Sequence, residues 1–239
     1  MRPSAAYSKN KRKPWLKAQW CIPTVGADFV CHMEDVLDLY AAAYDPRRSV
    51  VCFDELPYQL LDHVVGPQPA VPGQPAREDY EYQRKGSCNR FIAFQPLQGW
   101  REVEVTARRT AQDFAHQMQR LVDEQFPEAE VIRVVLDNLN THTPAALYQT
   151  FTPEEARRLT AKLEFHYTPK HGSWLNMVEI ELSVLARQCL DQRLADRASV
   201  ERVVEPWQAR RNAFRATVDW RFTVKDARVK LKDLYPLQS

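Results

Sequence analysis

The chain of 239 residues is 44% hydrophobic and 27% charged, with a formal net charge of +2. This composition is typical of a soluble globular protein with a sizeable core, and it excludes a strong overall basic field. No run approaches the roughly 18 apolar residues of a membrane helix. The basic N-terminus also lacks the apolar core of a secretory signal, so we expect a cytoplasmic protein with no membrane partner.

The first half of the chain predicts one helix, a strand and a hairpin. Apolar spacing indicates a helix over 27–43, which ends before Asp45-Pro46. The stretch "SVVCFDE" (49–55) predicts a short strand that ends in Asp54-Glu55. A proline-rich loop (66–77) follows, and then two strands joined at Gly99 by a hairpin turn (90–97 and 100–107).

The second half alternates helices and strands. We predict an amphipathic helix over 110–126, a strand over 130–137, two short helices at 143–150 and 153–161, and a strand over 162–168. Ser173 can begin a long helix that runs to about 190, and a further helix lies near 197–213. An antiparallel trio of strands followed by this alternation predicts an α/β fold, a mixed sheet with helices on both faces.

The five cysteines argue against two kinds of site, and the basic residues allow two interpretations. The cysteines are scattered, odd in number and without a CxxC pair, which argues against disulfides and cysteine-based zinc sites, so we expect buried thiols. Basic residues cluster between Lys9 and Lys17 and between Arg210 and Lys232. Such clusters suit nucleic-acid phosphates, and they are equally typical of solvated tails.

Carboxylates follow two of the predicted strands and begin the long helix. If the first and fourth strands lie side by side and parallel, Asp54 and Asp137 become neighbours at one end of the sheet. Neighbouring carboxylates resist ionisation unless they share a cation, and hard oxygen ligands favour Mg²⁺ or Mn²⁺. The third carboxylate is Glu179 or Glu181, which flank the helix's apolar stripe on opposite sides, so periodicity cannot choose between them.

Each of these residues also has a simpler interpretation. Asp54 and Asp137 can end strands as turn formers, and His142 can be an ordinary turn histidine. We expect Glu55 to face solvent or pair with a base, and Trp174 to lie in the core. His166, Lys170 and His171 belong to a segment that should approach the carboxylates, where Lys170 and a helix start at Ser173 would suit a phosphate, or it is a solvated loop.

Three motifs in order, "FDE", "LDNLNTH" and "YTPKHGSWLNMVEIE", resemble the acidic triad of DDE transposases, and are most similar to the bacterial insertion-sequence branch of the mariner superfamily. Asp137 and Asn138 with His142 match one family motif, and Leu175, Asn176 and Glu179 match its Leu-Asn-x-x-Glu. The matching therefore favours Glu179, and it makes Glu181 a surface residue.

The resemblance implies a ribonuclease-H-like fold in which Asp54, Asp137 and Glu179 are catalytic metal ligands for two Mg²⁺ or Mn²⁺ ions. Asn138, His142, Lys170 and His171 would contact DNA or support the ligands. It also implies cleavage at transposon ends, strand transfer into TA target sites, and a homodimer on DNA in a bacterial cytoplasm. Leu56 and Pro57 depart from the family pattern, which has small polar residues there.

The resemblance also divides the chain into three parts. Residues 1–48 would be a basic arm and a linker helix, 49–192 the catalytic domain, and 193–239 a helical basic tail. Family members carry helix-turn-helix modules upstream, so we expect a transposase truncated at its N-terminus. Two alternatives stay open: another ribonuclease-H-like nuclease, and a non-catalytic DNA-binding fragment that inhibits intact transposase.

Overall fold

Five strands form one mixed sheet in the computed structural model, which describes residues 26–236. Their order across the sheet is β3-β2-β1-β4-β5. The first three are antiparallel neighbours, and β4 and β5 run parallel to β1. The strands are β1 (Arg48–His63), β2 (Tyr82–Gln95), β3 (Trp100–Thr106), β4 (Val131–Leu136) and β5 (Leu163–Tyr167).

Helices cover both faces of this sheet, as predicted. On one face α2, α3 and α4 pack over Phe53, Phe91 and Val134, and on the other α1, α5 and α7 pack over Cys52 and Val135. A third apolar cluster joins α6 to β3. The helices are α1 (Ala27–Ala41), α2 (Ala111–Arg120), α3 (Pro144–Thr150), α4 (Pro153–Lys162), α5 (Val178–Gln188), α6 (Arg197–Ala213) and α7 (Val224–Lys230).

Local sequence explains where several helices begin. Thr110 accepts the Asp113 amide in a capping box at the start of α2. Thr152 caps α4, with Pro153 at its first position as predicted. A π-helical segment, Leu121–Gln125, continues α2 to the predicted end of that helix. The short helix α7 was not predicted.

The first strand is much longer than predicted. It does not end at Asp54-Glu55 but continues to His63 as one arm of a hairpin with β2, which correspondingly begins at Tyr82. Among the strands of residues 26–236, β1 pairs with β2 alone beyond Cys52, because its ladder with β4 ends there. Pro57 is tolerated because a proline that lacks an N–H fits a strand with one free edge.

The start of α5 and the setting of one cysteine also differ from prediction. Ser173 begins a 3₁₀ turn that ends at Leu175, and extended backbone at Asn176 delays α5 until Val178. The predicted helix start at Ser173 is therefore wrong. Cys52, Cys88 and Cys189 are buried as predicted, whereas Cys31 is exposed on α1.

Two predictions concern residues near the chain's start. Cys21 and the basic cluster Lys9–Lys17 lie outside the described residues.

Within residues 26–236, none of the helices combines the length and apolar character needed to cross a bilayer.

Candidate active site

Asp54 and Asp137 come together through the register of two parallel strands. Cys52 of β1 pairs with Val135 of β4, and each aspartate lies two residues further along its own chain. Burial raises the pKa of Asp54, and the carboxylates of Asp137, Glu55 and Glu179 raise it further, to about 7. A hydrogen bond from the Glu55 amide opposes this shift (2.8 Å). Asp54 is therefore a carboxylate whose negative charge is opposed by burial and by its acidic neighbours.

Glu179 approaches the pair from the first turn of α5. Burial and the charge of Asp137 raise its pKa, and a hydrogen bond with Ser173 opposes the shift. Asn176 fixes this end of the helix: its Nδ2 donates to the Phe53 carbonyl (2.9 Å), and its Oδ1 accepts the Val178 amide (3.3 Å). The helix start is thus bonded to the backbone of β1 one residue before Asp54.

Glu181 occupies a different environment from Glu179. It is fully buried, and its carboxylate contacts Arg101 Nε at 3.1 Å and Arg211 Nη2 at 2.6 Å. The prediction that Glu181 is a surface residue is wrong, because α6 and β3 bring both arginines to that side of α5. The pair of glutamates is therefore divided between the acidic site and a buried ion cluster.

His142 lies between two carboxylates. Its Nδ1 is 2.6 Å from Asp137 Oδ1, and its Nε2 is 2.6 Å from Glu55 Oε2. The second contact is an ion pair rather than an aligned hydrogen bond, since neither atom has a hydrogen-bond partner of good geometry. Burial lowers the pKa of His142, but its contacts with Asp137 and Glu55 outweigh burial and raise it to about 9. The imidazole is thus a cation.

Glu55 is buried with His142 and does not face solvent. Its Oε1 is 3.8 Å from Arg109 Nη1. Of the two predictions for Glu55, pairing with a basic side chain is therefore the one confirmed. Arg109 is half-exposed and lies just before α2. It is a basic residue beside the site that the sequence did not single out.

Polar residues of two loops line the open side of the site. Asn138 follows Asp137, and Lys170 and His171 follow β5 in a shared groove with Asp137. All three side chains are exposed. His166 is not among them, because it lies in β5 and its Nδ1 contacts Asp35 of α1 at 2.9 Å. Trp174 is 46% exposed rather than in the core, and its ring packs on Phe222.

The donor set fits a hard cation shared by two carboxylates. Within residues 26–236, no three His, Cys, Asp or Glu side chains lie close enough together to hold one metal ion. Mg²⁺ usually takes only one or two protein carboxylates and completes its shell with water and substrate phosphate oxygens. Asp54 and Asp137 match that requirement, and Glu179 lies close enough to Asp137 for its pKa to be raised by that carboxylate.

Comparisons with known proteins identify the family of the chain. A family model described as "DDE superfamily endonuclease" matches residues 49–201. Among curated proteins, none matches the chain.

Solved structures of the Mos1 mariner transposase share the fold. A paired end complex with Mn has a TM-score of 0.58 at 18% identity, over 88% of this chain and 62% of that one. A paired-end complex with the left transposon end has 0.54 at 17%, over 85% and 60%. A strand transfer complex has 0.54 at 18%, over 79% and 55%. The fold is ribonuclease-H-like, as predicted, and the chain spans about 55 to 62% of these relatives' length.

Sequence reasoning missed two features of the site. The partners of Glu181 are 80 and 30 residues away in sequence, so no local pattern could reveal them. The contact between Glu55 and His142 was not predicted. Strand alternation indicated only that residue 55 lies on the opposite face of the sheet from residue 54.

Proposed function

This chain belongs to the DDE superfamily of endonucleases, and we propose that it is the catalytic core of a transposase whose active-site residues are Asp54, Asp137 and Glu179. Its branch would be the bacterial insertion-sequence branch of the mariner superfamily. The motif spacing from Asp137 to His142 and from Leu175 to Glu179 supports that branch. The observation that carries the proposal is the carboxylate pair, which the parallel register of β1 and β4 brings together.

The proposed reaction is two successive displacements at phosphorus. Water attacks the scissile phosphodiester, the bond to the 3′ oxygen breaks, and a 3′-hydroxyl and a 5′-phosphate result. The 3′-hydroxyl then attacks a phosphodiester of the target by the same displacement. Two Mg²⁺ or Mn²⁺ ions, when bound, would activate the attacking oxygen and stabilise the leaving oxygen.

The chain's own residues have distinct parts in this proposal. Asp54 and Asp137 would be the primary metal ligands, because each is held at a fixed position at the end of the β1–β4 ladder. Glu179 would complete the site from α5. Lys170 and His171 on the open side would contact phosphates of the bound strand, and Asn138 next to Asp137 would contact DNA or a ligand. His142 would hold Asp137.

The proposed partners are transposon ends and a TA target, with a homodimer assembled on DNA in the bacterial cytoplasm. The Mos1 structures are paired-end and strand-transfer complexes, and they support DNA as the partner by analogy of fold. We further propose residues 49–192 as the catalytic domain, flanked by an arm and linker (1–48) and a basic tail (193–239).

A plasmid assay tests the function. The purified chain is incubated with supercoiled plasmid and with a labelled duplex that carries a free 3′-hydroxyl, in Mg²⁺, Mn²⁺ or EDTA. We expect metal-dependent nicking and joining of the label to the plasmid, both lost in Asp137→Asn. Nicking without joining would instead indicate another ribonuclease-H-like nuclease. A chain that binds DNA without nicking it would match an inhibitory fragment.

A further inference from the structure

Glu55 is a buried carboxylate that the proposed reaction leaves without a role. It follows Asp54 in β1 but lies on the opposite face of the sheet, and its side chain is only 2% exposed. Burying a carboxylate costs several kcal/mol unless a cation and hydrogen bonds compensate it. A carboxylate that faced solvent at this position would avoid that cost, so the burial of Glu55 needs an explanation.

The compensation comes from a row of four alternating charges. Arg109 at the solvent end contacts Glu55, Glu55 contacts His142, and His142 contacts Asp137. Both ring nitrogens of His142 face carboxylate oxygens at 2.6 Å. The ring is thus held between two carboxylates, one at each of its nitrogens.

The ring of His142 is also held from its sides. Its centroid lies 4.8 Å from the ring of Phe114 and 5.9 Å from that of Phe53. The hydroxyl of Tyr167 donates to the His142 carbonyl at 2.8 Å. With the ring fixed between these groups, its Nδ1 lies against Oδ1 of Asp137 and orients that carboxylate.

We propose that Glu55 is a positioning residue, which orients the ring of His142 so that His142 sets the carboxylate of Asp137 for metal binding. This inference rests on the proposed function. Residues that orient a ligand in this way typically contribute 10- to 100-fold in metal affinity. Arg109 would support Glu55 from the solvent side.

Metal binding by the full chain without DNA tests the inference. Mn²⁺ is titrated into wild type, Glu55→Gln and Glu55→Ala and followed by electron paramagnetic resonance of the free ion. Glu55→Ala should raise the dissociation constant about tenfold. Glu55→Gln keeps the length of the side chain and an oxygen facing His142 Nε2, and should stay within about threefold of wild type. The control is Glu102→Ala, which removes a partly buried carboxylate bound to Arg120 away from the site.

A second readout does not depend on metal or on catalysis. A crystal structure of the metal-free wild-type chain should show the His142 ring with Nδ1 at Asp137 and Nε2 at Glu55. In Glu55→Ala the ring should rotate or become disordered and lose its contact with Asp137. A wild-type His142 ring that does not contact Glu55 would overturn the inference even if Glu55→Ala fails to fold.

The outcomes separate this inference from the function beneath it. A wild-type chain that binds no Mn²⁺ would overturn the metal-dependent reaction. Normal wild-type binding together with unchanged affinity in folded Glu55→Ala would overturn the role of Glu55 alone.

Discussion

Glu179 and Glu181 are two residues apart on α5 yet belong to different parts of the molecule. The pKa of Glu179 is raised by burial and by Asp137, so its carboxylate shares the acidic site. Glu181 is neutralised by Arg101 and Arg211, which join α5 to β3 and α6. One helix thus carries a candidate metal ligand on one side and, on the other, the ion pairs that hold it against β3 and α6.

Substitution of each glutamate should therefore fail in a different way. Glu179→Gln should abolish metal-dependent nicking and leave the free energy of unfolding close to wild type. Glu181→Gln should reduce the free energy of unfolding by about 3 kcal/mol, because the buried Arg101 and the partly buried Arg211 lose their anion. Urea denaturation and plasmid nicking at 20 °C measure the two effects. A stable, inactive Glu181→Gln would mean that the motif is aligned two residues out of place.

Each aspartate of the pair should be needed for catalysis. Asp54→Asn and Asp137→Asn should each lower the nicking rate in Mg²⁺ by orders of magnitude, because a metal ligand is lost. Asp54→Asn should unfold at the same temperature as wild type or higher, since it removes a buried carboxylate whose ionisation the fold opposes. Nicking by Asp137→Asn at the wild-type rate would contradict the assignment.

Strand order and parallel register were within reach of the sequence. The apolar runs before Asp54 and Asp137 are local patterns, and placing the two strands side by side suffices to bring the aspartates together. The length of β1 was not predictable in the same way, because Pro57 indicates a break in a strand with two neighbours. It is compatible with β1 only because β4 pairs no further than Cys52.

The environments of single side chains depend on contacts distant in sequence. At 100° per residue, Glu179 and Glu181 are equivalent with respect to the apolar stripe. The position of Arg101 and Arg211 distinguishes them, and that position follows from the packing of α6 on β3. Trp174 was expected in the core from its hydrophobicity, but it lies in a short turn at the surface.

Asn176 should be needed because its amide can both donate and accept a hydrogen bond, which a carboxylate cannot do. Asn176→Asp keeps the size and the acceptor for the Val178 amide, but it cannot donate to the Phe53 carbonyl. Two oxygens would then face each other in a buried site, at a cost of about 2 kcal/mol. We expect a corresponding loss in urea denaturation and weaker Mn²⁺ binding, as Glu179 shifts. Wild-type stability of this variant would argue against the Asn176–Phe53 bond.

Gly99 should tolerate no side chain. Its φ is +64°, and a Cβ there would lie 2.4 Å from the backbone carbon of Arg215, where the β2–β3 turn meets the segment after α6. Gly99→Ala should cost about 2 kcal/mol or more from backbone conformation and displacement together. Gly66→Ala is the matched control, because a Cβ there meets no atom within 4 Å. Equal urea midpoints for the two variants would contradict the close approach.

Lys170 should contribute a phosphate contact on the open side of the site. Lys170→Ala should weaken binding to duplex DNA to a similar extent for every sequence, and reduce the slope of log affinity against log salt by about 1. Fluorescence anisotropy across a salt series, with two unrelated duplexes of equal length, measures both quantities. The effect should be independent of metal, because the lysine contacts the backbone of the strand rather than the carboxylates.

Lys162→Ala provides the matched control for charge. Its ammonium donates to the Pro127 carbonyl at 2.7 Å, and it lies just before β5, at the end of the parallel strands opposite Asp137. Removing it changes the net charge equally but leaves the open side of the site intact. If both variants change the salt slope alike, the effect is one of overall charge, and Lys170 has no particular place in DNA binding. A slope reduced only in Lys170→Ala would locate the bound strand beside Asp137.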